Sequence, residues 1–66
     1  MNLSPAYLIK ILEINGFILS RSKGSHLLYR NPVTQKRVIV PYHGGKDLPK
    51  GTFYAILKQA GIKRTY

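Results

Sequence analysis

The sequence contains no cysteine and only two acidic residues, Glu13 and Asp47, among its 66 residues. Without cysteine the chain can form neither a disulfide nor a thiolate metal site of the zinc-finger kind. The two histidines could bind a metal, but with so few oxygen ligands, and with Glu13 far in sequence from both histidines, we expect no metal centre, no paired-carboxylate catalysis and no cofactor. With thiolate, metal and paired-carboxylate chemistry excluded, the remaining candidate is proton transfer by a histidine that lies among basic side chains.

Long apolar runs are also missing, since no stretch approaches the roughly 20 residues that a membrane helix requires. The N-terminus lacks a basic region followed by an apolar one, so we expect no signal peptide and a cytoplasmic location. We expect a single domain over residues 1–66. A domain of this size buries only about 60% of its unfolded surface, which predicts modest stability.

The positive charge is concentrated beyond residue 20. Residues 1–20 contain Lys10 and Glu13, which cancel, whereas residues 21–66 contain ten Lys and Arg and only Asp47, giving the whole net charge of +9. This basic surface indicates a polyanionic partner, with nucleic acid first and an acidic membrane or protein second. A surface that only keeps the protein soluble is the alternative, but solubility requires a smaller imbalance.

The pattern near the N-terminus predicts a first helix over residues 5–15. Ser4 is a suitable N-cap, and Pro5 suits the first helical position, where its missing N–H has no cost. Apolar residues then recur at helical spacing, and Gly16 is expected to end the helix in a left-handed conformation. The predicted apolar face consists of Leu8, Ile11 and Leu12, widened by Tyr7 and Ile14.

Three short segments, 17–22, 26–30 and 36–41, have the apolar and β-branched character of strands. The connections between them are too short for parallel crossovers, so the segments predict an antiparallel three-stranded meander. Lys23-Gly24 is expected to make the first tight connection, and residues 31–35 the second.

Period-two alternation assigns residues of these strands to faces. In the first strand it places Phe17, Leu19 and Arg21 together on one face. In the second strand it places His26 with Leu28 and Arg30, and Leu27 with Tyr29.

A second helix is predicted near the C-terminus, where Phe53, Ile56, Leu57 and Ala60 follow helical spacing. Asp47 is its candidate cap and Gly61 its end. The predicted fold is therefore α+β, with the order α-β-β-β-α. Both helices cover one face of a three-stranded antiparallel sheet, because an isolated sheet of this size needs such a cover. The other sheet face and the loops are then available for function.

His26 is the first candidate for chemistry, because it follows the basic segment that holds Arg21 and Lys23. Histidine is the side chain that titrates nearest neutral pH. Cleavage of RNA by transesterification removes a proton from the 2′-hydroxyl and gives one to the 5′-oxygen. One histidine can carry out either transfer, or both in sequence where the geometry permits. The alternative is a strand histidine that packs its ring and forms local hydrogen bonds.

His43, in the segment 41–45, is the second candidate. It could complete an acid–base pair with His26, or it could only contact phosphate or order its loop. The following Gly44-Gly45-Lys46 resembles a phosphate-binding turn without the spacing of a nucleotide-binding loop, so we expect contact with an RNA backbone instead.

Further basic and aromatic side chains flank the predicted sheet. The predicted RNA-binding residues are Arg21, Lys23, Gly24, Ser25, Arg30 and Lys46, with Lys36 and Arg37 nearby. Tyr29, Tyr42 and Tyr54 could stack on bases, or they could line the rim of the core.

Four segments of the chain, in order, resemble the HicA family of toxin ribonucleases. They are Gly16-Phe17, Arg21-Ser22-Lys23-Gly24-Ser25-His26, Val38-Ile39-Val40-Pro41-Tyr42-His43, and residues 51–61. The resemblance implies a fold like that of a double-stranded RNA-binding domain. It also implies metal-independent cleavage of mRNA, with the catalytic histidine of the family's Gly-Ser-His motif at His26. Its implied partner is a HicB-type antitoxin that covers the active site.

The combined prediction is an endoribonuclease in which His26 acts as general base or general acid. Arg21, Lys23 and Lys46 would position the phosphate and offset charge in the transition state. Two alternatives share the fold and the charge. One is a non-catalytic RNA-binding module of the double-stranded RNA-binding type, and the other is a small adaptor whose basic face binds an acidic protein.

Overall fold

A computed structural model describes residues 1–63 and confirms the predicted order of elements. Two helices and a three-stranded antiparallel sheet form an α+β fold compatible with that of double-stranded RNA-binding domains. Arg64, which belongs to the basic C-terminal half, lies outside the described residues. The elements are α1 (Pro5–Ile14), β1 (Ile18–Lys23), β2 (His26–Arg30), β3 (Arg37–Pro41) and α2 (Lys50–Gln59).

Both ends of α1 are satisfied by local hydrogen bonds. The Ser4 hydroxyl accepts a hydrogen bond from the backbone N–H of Tyr7 at 3.1 Å, as expected of an N-cap. At the other end Gly16 has a φ of +89°, which confirms the predicted left-handed conformation. The N–H of Gly16 donates to the carbonyl of Glu13, and that of Phe17 donates to the carbonyl of Leu12. These two bonds form a Schellman motif, which closes the helix before the sheet begins.

Two residues near this helix end differ from the prediction. Ile14, predicted to widen the apolar face, is 76% exposed. Phe17, predicted to be the first strand residue, lies before β1 and is buried. The Schellman bond from Phe17 to Leu12 explains the second difference, because it holds Phe17 against the helix end rather than in the sheet.

The sheet has the strand order β1-β2-β3, and one of its faces is covered. Tyr29 pairs with Val38 and Leu27 with Val40, so these four side chains share a face. Tyr29, Val38 and Val40 are buried in one cluster with residues from both helices, among them Leu8 and Phe53. Both helices therefore pack on the same face of the sheet. Burying each large side chain of this core is worth about 1.5–3 kcal/mol.

The start of α2 shows that the prediction of Asp47 as its cap is wrong. The N-cap is Pro49, which makes no side-chain capping bond. Leu48 is buried, and its N–H donates to the carbonyl of Leu3 at 2.9 Å. The burial and the hydrogen bond of Leu48 fix the chain one residue before Pro49. Asp47 therefore lies in the loop, outside the capping position.

Candidate active site

A β-bulge in β1 changes which residues share a face with His26. Leu19 pairs with Tyr29, but the next pair is Arg21 with Leu28, so Ser20 is the extra residue. An extra residue reverses the alternation of faces beyond it. Arg21 consequently lies on the face of Leu28, opposite to the face of Leu19. The prediction that Leu19 and Arg21 share a face is therefore wrong.

Because of the bulge, the cationic side chains of Arg21 and Lys23 lie with the imidazole of His26 around one depression on the uncovered face of the sheet. Its volume is about 390 Å³, and its lining residues are Arg21, Lys23, His26, Leu28 and Ile39. Leu28 and Ile39 are cross-strand partners at its centre. Ile39 is exposed and Leu28 is half-buried. We call these five residues the His26 pocket.

Three of the predicted site residues, Arg21, Lys23 and His26, thus line one pocket. Leu28 and Ile39 are not among the predicted site residues, although the alternation of faces from His26 predicts that Leu28 lies on the same face as His26. A second depression of about 280 Å³ shares Leu28 and Ile39 and extends towards Arg37. The uncovered face therefore combines an apolar centre with a cationic border.

The β1–β2 hairpin fixes Lys23 beside His26. These two residues are cross-strand partners, and only Gly24 and Ser25 connect them. Gly24 has a φ of +58°, as a type II′ hairpin turn requires at its first central position. Gly24 and Ser25, which are also predicted RNA-binding residues, therefore form the turn that sets the positions of Lys23 and His26.

The end of β3 brings a second histidine to the same place. His26 pairs with Pro41, and the N–H of Tyr42 donates to the carbonyl of Ser25 at 2.6 Å. His26 and Pro41 therefore form a non-hydrogen-bonded pair, in which the missing N–H of proline has no cost. Two residues later, the ring of His43 lies with its centroid 6.2 Å from that of His26, and the two rings are nearly perpendicular at 82°.

Arg30 and Lys46 lie outside the His26 pocket. Arg30 is on the same sheet face as His26, but it is four residues away along β2, or about 13 Å at the rise of a strand. One of its guanidinium nitrogens, Nη1, donates to Gln35 Oε1 at 3.5 Å. Lys46 lies in the exposed turn that begins at His43, and its N–H donates to the His43 carbonyl at 3.2 Å.

The three tyrosines proposed for base stacking have different positions. Tyr29 points into the core, so of the two alternatives given for it the structure favours packing over base stacking. Burial raises the pKa of the Tyr29 phenol, and the Glu13 carboxylate raises that pKa further. Tyr54 is half-buried beside Phe53, with ring centroids 5.5 Å apart, as expected at a core rim. Tyr42 is 38% exposed and lies next to His43.

Acidic side chains are absent from the His26 pocket, since neither Glu13 nor Asp47 lines it. Within residues 1–63, no three His, Cys, Asp or Glu side chains come together in a group that could hold a metal ion. No helix in this part of the chain is both long enough and apolar enough to cross a membrane. The pocket therefore presents two cationic side chains, one imidazole and an apolar centre to a ligand.

Comparison with known proteins supports the resemblance seen in the sequence. No curated protein matches the chain. Residues 7–62 match the family described as the HicA toxin of bacterial toxin-antitoxin systems. This match spans most of the chain and includes α2 and all three strands. The chain therefore belongs to the HicA toxin family.

Proposed function

We propose that this toxin is an endoribonuclease that cleaves mRNA at the His26 pocket without a metal ion. The observation that carries the proposal is the shared position of Arg21, Lys23 and His26 around one depression on the uncovered sheet face. Two cations attract a phosphodiester, and the group beside them is an imidazole, the side chain most often used for proton transfer in catalysis. His26 acts as a general base or general acid on the scissile linkage.

Arg21 and Lys23 supply the electrostatic part of this mechanism. The attack of a 2′-oxygen on phosphorus concentrates negative charge on the non-bridging oxygens. Fixed cations stabilise that charge more in the transition state than in the ground state. The guanidinium of Arg21 can hold two of these oxygens in its planar fork, while Lys23 provides a point charge. The bulge and the hairpin hold both residues on rigid strands, which lowers the cost of orienting them.

The residues available for chemistry also support metal independence. Magnesium-assisted cleavage uses one or two carboxylates beside the substrate phosphate as ligands. This chain has only Glu13 on α1 and Asp47 in the loop before α2, and neither lies in the His26 pocket. Transesterification by imidazole needs proton transfer and no metal ion, and His26 in the pocket can take part in that transfer.

The remaining basic side chains provide general affinity for RNA. Arg30 and Arg37 are cross-strand partners on the uncovered face, and Lys46 lies beside His43. An RNA strand that follows this face passes over the apolar Leu28 and Ile39 between cationic side chains. Single-stranded RNA binds such surfaces by phosphate contacts together with contacts to the faces of its bases.

The deciding experiment incubates the purified protein with mRNA, with and without excess EDTA. We expect new RNA ends in both conditions, and at least a 100-fold lower rate for His26→Ala. Lys58→Gln is the control, because Lys58 lies on α2, against the opposite sheet face. Loss of cleavage in EDTA would contradict metal independence, and cleavage by folded His26→Ala at the native rate would contradict the role of His26.

The same experiment tests the non-catalytic alternative. An RNA-binding module would shift the mobility of RNA at low salt without producing new ends. A protein that bound an acidic protein and no RNA would support the adaptor alternative instead.

Membership of a toxin–antitoxin family implies an antitoxin partner, and we propose that a HicB-type antitoxin covers the His26 pocket. Ile18 and Ile39 are each 54% exposed on the uncovered face. Ile18 pairs with Arg30, and Ile39 lines the pocket with Arg21 and Lys23. A partner with acidic groups around an apolar centre would complement this surface. Hydrogen exchange of the complex should show protection in β1, in the hairpin and after β3. Full inhibition with protection only on the exposed side of α1 would contradict this arrangement.

A further inference from the structure

We infer that His43 is a second catalytic residue, which protonates the 5′-oxygen leaving group while His26 takes the proton from the 2′-hydroxyl. This inference rests on the proposed RNA cleavage and assigns a separate group to its second proton transfer. The observation behind it is the contact between the two imidazole rings, whose centroids are 6.2 Å apart.

The backbone, and not only a side-chain rotamer, brings the two histidines together. His26 is the first residue of β2, and its cross-strand partner Pro41 is the last residue of β3. The hydrogen bond from Tyr42 N–H to the Ser25 carbonyl, at 2.6 Å, extends the pairing by one step. The turn that follows is closed by the bond from Lys46 N–H to the His43 carbonyl, at 3.2 Å. His43 therefore leaves the sheet at a fixed place beside His26.

The spacing of the rings fits the geometry of the reaction. In an in-line displacement the attacking 2′-oxygen and the leaving 5′-oxygen lie on opposite sides of phosphorus. Each proton-transferring nitrogen must come within about 2.6–3.2 Å of its own oxygen. A single imidazole nitrogen cannot accept a proton from one oxygen and donate a proton to the other at the same moment, whereas two rings 6.2 Å apart can flank one phosphodiester.

The proposed step balances in atoms and charge. His26 removes the proton of the 2′-hydroxyl as the 2′-oxygen forms a bond to phosphorus. The bond between phosphorus and the 5′-oxygen breaks, and that oxygen takes a proton from the imidazolium of His43. The products are a 2′,3′-cyclic phosphate and a 5′-hydroxyl. His26 ends protonated and His43 neutral, and water restores both states.

The surroundings of the two rings support this division of roles. His26 lies in the pocket with Arg21 and Lys23, which is the proposed place of the phosphate and of the ribose that carries the 2′-hydroxyl. His43 lies in an exposed turn with Tyr42 and Lys46, so a leaving group protonated there would be open to solvent.

The test compares two RNA oligonucleotides, one with an ordinary scissile linkage and one whose 5′-bridging oxygen is replaced by sulfur. A thiolate leaves without protonation, because thiols are far more acidic than alcohols. On ordinary RNA we expect His43→Gln to lower the single-turnover rate about 100-fold or more. On the sulfur substrate we expect a loss of only a few-fold. His26→Gln should be impaired on both substrates.

Lys46→Gln is the matched comparison, because it changes the same turn and removes a cation without removing an imidazole. It should weaken RNA binding and leave the ratio of the two rates as in the wild type. Thermal unfolding checks that each variant is folded. If His43→Gln has the wild-type ratio, or cleaves ordinary RNA within a few-fold of the wild-type rate, the inference is overturned.

The pH profile gives a second readout that a purely structural role would not change. The wild-type rate should fall at low pH, where the base is protonated, and at high pH, where the acid has lost its proton. His43→Gln should keep only the fall at low pH. The charged and titratable neighbours Arg21, Lys23, Tyr42 and Lys46 are present in both proteins, so the difference reports on His43. Retention of both limbs in His43→Gln would overturn the inference.

The failure of this inference differs from the failure of the proposed function. Wild-type protein that leaves RNA intact would contradict the proposed cleavage itself. Wild-type cleavage that depends on His26 but not on His43 would contradict only the second catalytic residue.

Discussion

Arg21 of β1 lies directly opposite Leu28 of β2. The preceding pair is Leu19 with Tyr29, so the pairing advances by two residues along β1 but by only one along β2. The unpaired Ser20 accounts for this difference. The bulge moves the guanidinium to the face of His26, where it lines the pocket. Bulges often re-aim a side chain next to an active site in this way.

Arg21→Gln should therefore lower kcat/KM for RNA cleavage about tenfold or more, because it removes a charged hydrogen-bond donor from the phosphate position. Lys10→Gln removes the same charge from the exposed surface of α1 and should leave kcat/KM within about twofold. Steady-state kinetics on one defined RNA compares the two variants. Equal effects would mean that Arg21 acts only through the net charge of the protein.

The salt dependence of RNA affinity should reveal the phosphate contact of Lys23. If about four to six phosphates are contacted, the log–log slope is about −0.7 for each phosphate of a single strand. Lys23→Gln should reduce the size of the slope by about 0.7, and Lys58→Gln on α2 should leave it unchanged. The titrations use the His26→Ala background, so that the RNA stays intact. A slope unaffected by Lys23→Gln would contradict this contact.

Asn31 should make a large contribution to stability, because its buried side chain joins three backbone groups. Its Nδ2 donates to the Asn15 carbonyl at 3.1 Å, and its Oδ1 accepts from the N–H groups of Val33 and Thr34. Asn31→Ala leaves these groups without their partner and should lower the free energy of unfolding by about 2–3 kcal/mol.

The exposed Asn2 provides a matched control for Asn31. Its Oδ1 accepts a hydrogen bond from Ser4 N–H at 3.0 Å, but water can replace this bond. Asn2→Ala should therefore cost less than about 0.5 kcal/mol. Urea unfolding measures both variants, and similar losses would mean that the burial of Asn31 adds nothing.

Tyr29 should make the protein less stable in alkaline solution. Burial first, and then the Glu13 carboxylate, raise the pKa of its phenol above the ordinary value of 10.0. Above about pH 10 the unfolded chain therefore loses this proton before the folded protein does, so the free energy of unfolding falls as the pH rises. Tyr29→Phe should show a smaller fall between pH 8 and pH 11 in denaturant titrations.

Tyr42→Phe is the control for this measurement, because Tyr42 lies at the surface. It should lose as much stability with rising pH as the wild-type protein does. The same lysines are present in all three proteins, so their contribution cancels in the comparison. A fall of equal size in Tyr29→Phe and the wild type would show that the phenol is not responsible.

Most of the fold follows from local patterns in the sequence. Ser4, Pro5 and Gly16 mark the limits of α1, and the predicted strand over 26–30 agrees with β2. These signals are reliable because each depends on neighbouring backbone groups. The prediction of Asp47 as a cap failed because a distant contact, between Leu48 and Leu3, sets where α2 can begin.

By itself, the sequence determined the α-β-β-β-α order, the cationic surface and the identity of His26 as the candidate for chemistry. Only the tertiary structure decided that Arg21 joins His26 on one face and that His43 lies 6.2 Å from it. The physical reason for this difference is that helix caps and the alternation of side chains along a strand depend on only a few neighbouring residues. A bulge and a cross-strand pair depend on how one strand is held by another, and this relation is absent from any single segment.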